Sequence, residues 1–263
     1  MLLKDKNAVI YGAAGAIGSA TARAFAAEGA RVFLTGHRLA PVELVAKEIV
    51  AAGGRAEAAE VDALDEEAVE AHLRGVVERA GRVDVSFNAV GFCDRDIVGT
   101  PLAEQDPDAF VRPIADYTRS YFLTARAAAR RMVPNRSGVI MTVTALTARM
   151  GSMLNGGYGA SGAAKEALTR DLSAELAPQG VRVVGLRPHG LPDTTTLRES
   201  FEAKAERSGL SWEQFEAYIT GMSHTRRAMT ADEVARAAAL VASDGAVGLT
   251  GTIVNLSMGR LDD

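Results

Sequence analysis

Cysteine is almost missing from this sequence: Cys93 is the only one in 263 residues. No internal disulfide can form, and such usage suits a reducing compartment, so the cytoplasm is the expected location. Cys93 itself reads as a packing residue rather than a nucleophile. Histidine is nearly as scarce. His37, His72, His189 and His224 show no metal-ligand spacing, so no metal site is expected. No apolar run approaches the ~20 residues that span a bilayer, and no membrane segment is expected. Nor is a secretory signal, because the first strand-like run is under way by residue 8. Neither sign of charge dominates: 29 Lys and Arg stand against 33 Asp and Glu, a net of −4. With no basic stripe, nucleic acid is a poor partner. Aromatics make up only 5%. Internal repeats, linkers and low-complexity tracts are also lacking.

What is there is apolar and alternating. At 48% hydrophobic the chain can build a large core, and its length fits one α/β domain or two small ones. Ala8 to Tyr11 reads as a buried strand. The turn Gly12-Ala13-Ala14-Gly15-Ala16-Ile17-Gly18 follows, then an Ala-rich helix from Ser19 to Glu28. Strand, glycine turn and helix together present unpaired backbone N–H groups to a phosphate. Further strands are expected at 31–35, 56–61, 83–87, 138–143, 181–186 and 252–256. Helices are expected at 42–52, 64–80, 108–132 (with Pro113 a candidate interruption), 158–177 and 231–243, the last opened by the capping box Thr230-Ala231-Asp232-Glu233. The pattern implies a Rossmann-type, doubly wound parallel sheet in three layers, a single domain over 1–263. Ligands then belong at the carboxyl ends of the strands.

Several motifs now fall in order. Gly12-x-x-x-Ala16-Ile17-Gly18 resembles the glycine signature of the short-chain dehydrogenases/reductases, with Ala16 where glycine is usual. Asp62, next to Ala63, resembles that family's adenine-contacting aspartate. Asn88-Ala89-Val90-Gly91 resembles its Asn-Asn-Ala-Gly motif, reduced to one Asn. Tyr158-Gly159-Ala160-Ser161 is similar to the start of its Tyr-x-x-x-Lys motif. Gly180-Val181-Arg182-Val183 leads to Pro188 as in the family. The likeness covers nearly the whole chain. It implies a nicotinamide cofactor, cradled by Gly12, Ala14, Gly15, Ala16, Ile17 and Gly18 and flanked by Asn88, Ala89 and Gly91. About 20 residues past such a turn an acid would hold the ribose of NAD. Here the second strand ends in Gly36-His37-Arg38. Glycine leaves room, Arg38 offers a cationic fork for a 2′-phosphate, and His37 stands beside it, so NADP(H) is favoured over NAD(H).

The family's catalytic set is Asn, Ser, Tyr and Lys, and only Tyr158 is in place. The Ser position, thirteen residues earlier, holds Ala145. Thr144 beside it is a candidate hydroxyl, although a regular strand would turn it to the opposite face, and Thr147 is two further on. The Lys position holds Gly162. The helix Asn aligns with Tyr117, judged from Phe122-Leu123-Thr124. Lys165 follows Tyr158 by seven residues, the spacing of enoyl-acyl-carrier-protein reductases. Seven helical steps return it to within ~20° of the Tyr158 face, ~10.5 Å along the axis, leaning back toward Tyr158. A solvated helix-face cation is the competing reading of Lys165.

With Gly162 in the lysine position, Tyr158 is expected to stay protonated at neutral pH. A protonated phenol donates well and is a poor base, which favours reduction over alcohol oxidation. Residues 188–229 take the place of the family's substrate lid. Pro188-His189-Gly190-Leu191-Pro192-Asp193-Thr194 has one residue more than the usual Pro-Gly-x-x-x-Thr. Thr194 is the candidate for the nicotinamide carboxamide, and His189 reads as a turn residue. Leu210, Trp212, Phe215, Tyr218 and Met222 suggest an apolar mouth, and so a small, apolar carbonyl or enone substrate. Rival functions on the same fold are a catalytically silent nucleotide-binding protein and a non-redox isomerase or lyase. The resemblance further implies a homotetramer or homodimer through helices 108–132 and 158–177, whose Ala125, Ala128 and Ala129 would allow close packing.

Overall fold

A computed structural model describes residues 1–92, 98–191 and 194–262. Seven strands form one parallel sheet: β1 (Asn7–Tyr11), β2 (Arg31–Gly36), β3 (Arg55–Glu60), β4 (Val85–Asn88), β5 (Gly138–Val143), β6 (Val181–Pro188) and β7 (Thr252–Leu256), in the order β3-β2-β1-β4-β5-β6-β7. The order reverses between β1 and β4. Parallel neighbours need crossovers, and helices supply them: α1 (Ala16–Ala27), α2 (Leu39–Ala51), α3 (Glu66–Ala80), α4 (Pro107–Met132), α5 (Tyr158–Leu176) and α8 (Ala231–Ala242). The stretch 188–229, expected to be a substrate lid, holds two helices, α6 (Thr195–Arg207) and α7 (Trp212–Gly221), the latter started by a Ser211–Gln214 capping box.

Strand alternation sorts the core into two layers. Val9, Tyr11 and Phe33 face Val69, Leu73 and Val76 of α3 and Tyr121 and Ala128 of α4. Ala8, Ile10, Val32 and Leu34 face Phe25 of α1, Val45 and Ile49 of α2 and Val234 and Ala238 of α8.

Several boundaries differ from expectation. α1 starts at Ala16, because Ala16-Ile17-Gly18 forms its first turn. α2 starts at Leu39, with Pro41 in the first turn, where a proline costs no helical hydrogen bond. α4 runs unbroken through Pro113, whose buried ring lies against Gly157. Ala125, Ala128 and Ala129 are buried in the protein's own core. They are therefore not an outward-facing stripe; Val111 and Phe122 are exposed on α4 instead. Cys93, and Pro192 and Asp193 of the lid motif, lie outside the described residues.

Candidate active site

The carboxyl end of β1 is closed by backbone against backbone. Gly12 has φ +74°, and a Cβ there would lie 2.6 Å from the Ala89 carbonyl oxygen. A Cβ at Gly18 would lie 2.2 Å from the Gly12 carbonyl oxygen. Any side chain would break this cradle. Ala14, Gly15 and Ala16 are exposed and Ile17 is half-buried, so the Ala16 methyl points into open space and replaces glycine without a clash. Gly15 caps α1 with no side-chain bond, and no acid occupies the first turn. The first N–H groups of α1 are left with its positive dipole end, and the donor set fits a pyrophosphate.

Along the rim, Gly36 ends β2 and His37 and Arg38 are both exposed. Among the described residues neither of those two side chains has a hydrogen-bond or ion-pair partner. Asp62 is exposed and its carboxylate accepts the Leu64 N–H at 2.9 Å, a local turn that leaves it at the rim beside buried Ala63. Asn88 is buried: its amide donates to Thr124 Oγ1 at 3.1 Å, while its Oδ1 has no partner. It braces the turn under Ala89 and Gly91.

Tyr158 is the first residue of α5. Its N–H donates to the Asn155 carbonyl, and its carbonyl accepts from Ser161 Oγ. The ring is half-buried and stands edge-on to Tyr117, centroids 5.8 Å apart. Tyr117 meets Phe92 edge-on at 4.8 Å, and its hydroxyl accepts the Phe92 N–H at 3.1 Å. At Gly162 a Cβ would stand 3.1 Å from the Ala148 methyl, so the short helical turn at Leu146–Ala148 closes on the position where a lysine is usual.

Thr144 and Lys165 are both held by buried partners. Thr144 directly follows β5 and is buried. Its hydroxyl donates to Glu166 Oε1 at 3.1 Å, and Glu166 is paired with Arg187 at 2.8 and 2.9 Å. Thr144 thus hydrogen-bonds to a buried ion pair that ties α5 to β6. Lys165 is not a solvated cation. It is buried, its Nζ donates to the Val143 carbonyl at 2.7 Å, and it lies 5.6 and 5.8 Å from the ring centroids of Tyr117 and Tyr121. Burial pulls its pKa from 10.5 down to about 7. Among the described residues no carboxylate pairs with it and no hydrogen bond joins it to Tyr158. Thr147, near the missing serine, has a buried hydroxyl without a partner.

At the end of β6, Pro188 is buried. His189 is buried with Nδ1 against the Gly190 carbonyl, and burial lowers its pKa. Thr194 donates its hydroxyl to the Leu191 carbonyl at 2.9 Å, which holds its own turn. α6 and α7 meet through Phe201 and Phe215, and Phe215 also packs on Tyr218 of its own helix. Lys204 of α6 donates to Asn155 Oδ1 at 2.6 Å, fastening the lid to the loop before Tyr158. Neither this contact nor the Phe92–Tyr117–Tyr158 wall has a sequence signal, since each joins side chains from distant elements.

The profile of a family described as enoyl-(acyl carrier protein) reductase matches residues 12–260. A protein of Bacillus subtilis (strain 168), known as an uncharacterised oxidoreductase, is 31% identical over 95% of this chain and 88% of its own. Sorbitol-6-phosphate 2-dehydrogenase from Erwinia amylovora superposes with a TM-score of 0.91 at 26% identity, covering 97% of this chain and 100% of its own. A Beutenbergia cavernae protein assigned as an NAD(P)-dependent gluconate 5-dehydrogenase, seen with NADP at low occupancy, gives a TM-score of 0.85 at 29% identity over 98% and 97% of the two chains.

Proposed function

The chain belongs to the short-chain dehydrogenase/reductase family and is an oxidoreductase of that family, and from that premise we propose that it reduces a carbonyl or enone with NADPH, Tyr158 donating the proton. The observation that carries the cofactor choice is the end of β2, where Gly36 is followed by exposed His37 and Arg38. Arg38, with His37, would hold the 2′-phosphate. Gly12, Ala14, Gly15, Ala16, Ile17 and Gly18 would hold the pyrophosphate. Asp62, Ala63, Ala89 and Gly91 would line the adenosine, with Asn88 bracing them, and Pro188 and Thr194 the nicotinamide end. The bound nicotinamide supplies a hydride.

Tyr158 then gives its phenolic proton to the substrate oxygen and takes the resulting charge. Lys165 is the cation assigned to support that charge from within the core, in place of a lysine at 162. A protonated phenol serves reduction better than oxidation. The lid aromatics favour an apolar carbonyl substrate. The same reading has the protein self-associate through α4 and α5, as a homodimer or homotetramer, in the cytoplasm.

Calorimetry with NADPH and NADH, followed by a panel of ketones, aldehydes and enones, tests this. The expected result is NADPH bound at least about tenfold more tightly and turnover that Tyr158→Phe abolishes without loss of binding. Failure to bind either nucleotide overturns the assignment. Tight binding with no turnover across the panel would point to a silent sensor or a non-redox isomerase.

A further inference from the structure

We propose that Tyr117 is a positioning residue of this site: its ring orients the Tyr158 phenol, and its hydroxyl fixes the loop beyond β4 at Phe92. The proposal builds on the reading of Tyr158 as proton donor. Tyr117 is 7% exposed and stands on α4 between three separate pieces of chain. On one side is Phe92, just past Asn88-Ala89-Val90-Gly91. Its backbone N–H has no strand ladder to join and is taken up by the Tyr117 hydroxyl at 3.1 Å. On another side is Tyr158, whose ring meets Tyr117 at an interplanar angle of 77°. Over the Tyr117 face lies the Lys165 amine at 5.6 Å.

Each contact does a different job. Tyr158 begins α5, so no preceding helical turn restricts its rotamer, and several staggered χ1 wells remain open to it. An edge-on aromatic neighbour favours one orientation over the others. The hydroxyl bond to Phe92 limits how far the Ala89–Gly91 rim can swing from the cradle. Tyr121, whose hydroxyl pairs with Thr169, is the second ring beside Lys165, at 5.8 Å. Among the described residues, the adjacent Glu166 is paired with Arg187.

Substitution separates the two roles. Tyr117→Phe keeps the ring and loses the anchor; Tyr117→Leu loses both, with Tyr117→Met as a second ring-free variant if leucine does not fold. Three measurements are made: NADPH affinity by calorimetry, kcat and KM on the best panel substrate, and NMR of ring-labelled tyrosine. The Tyr158 signal is identified by its loss in Tyr158→Phe. Tyr117→Phe should weaken NADPH binding by about fivefold, the worth of one hydrogen bond, with the Tyr158 signal and kcat nearly unchanged. Tyr117→Leu should weaken NADPH equally, move the Tyr158 signal and lower kcat by about fivefold more, the worth of one aromatic pair.

If the ring-free variants leave the Tyr158 signal in place and alter only thermal stability, Tyr117 is a spacer and the proposal is overturned. If the wild-type protein reduces nothing on the panel, the functional reading fails. The Tyr158 signal and the NADPH affinities still decide the role of Tyr117.

Discussion

Replacing Lys165 with methionine should make this protein more stable, most of all in mild acid. The side chain is 3% exposed, and burial alone lowers its pKa from 10.5 to about 7. Between those values the unfolded chain binds a proton that the native chain has lost. Native stability therefore rises with pH across that window and is lowest below 7. At about 1.4 kcal/mol per pH unit, burying the charged amine below pH 7 costs roughly 5 kcal/mol, a large part of the ~5–15 kcal/mol that holds a domain folded. Methionine has similar length and no charge. It gives up the bond to the Val143 carbonyl, worth about 1 kcal/mol with a further penalty for the unpaired oxygen. A net gain of roughly 2–3 kcal/mol at pH 6 follows, or about 4–12 °C in Tm at ~2–4 °C per kcal/mol. Thermal unfolding by circular dichroism from pH 6 to 10 measures it. All other titrating groups are common to both proteins, so the difference between the two curves isolates Lys165. It should shrink steadily above pH 7. A Lys165→Met protein that melts lower at pH 6, or a difference that does not change with pH, would refute the reasoning.

Gly18→Ala puts a methyl 2.2 Å from the Gly12 carbonyl oxygen. It should cost about 1–3 kcal/mol and abolish nucleotide binding, both seen in a melt with and without NADPH. Arg38→Ala should raise the NADPH Kd by about tenfold, the worth of a charge-assisted bond, and leave NADH as it was; equal loss of both would move the 2′-phosphate elsewhere. Glu166→Ala strips Arg187 of two carboxylate oxygens in the core and should lower stability by about 3–5 kcal/mol in a denaturant titration. A change under 1 kcal/mol would mean that other partners of Arg187 suffice.

The site was only half legible from the chain. Gly12 and Gly18 announced themselves because no other residue fits where backbone meets backbone, and that requirement is local. Tyr158 was visible through its spacing to the motifs around it. Thr144 and Lys165 were not legible in the same way. One bonds to Glu166 of α5 and the other lies against the ring of Tyr117. Periodicity gives a face and an azimuth, and it does not say which distant helix closes over that face. Pro113 shows the same limit, since its packing against Gly157, not its own propensity, accompanies the unbroken α4.

The order of strands and helices, the tight glycine turn after β1 and the lack of serine and lysine at 145 and 162 were all determined by the sequence alone, because each depends on residue type and short spacing. Tertiary structure alone decided that Lys165 is buried and near neutrality, that Thr144 hydrogen-bonds to an ion pair, and that Phe92, Tyr117 and Tyr158 form one aromatic wall. Those facts depend on which side chains from remote segments share a low-dielectric interior, and no local pattern records that.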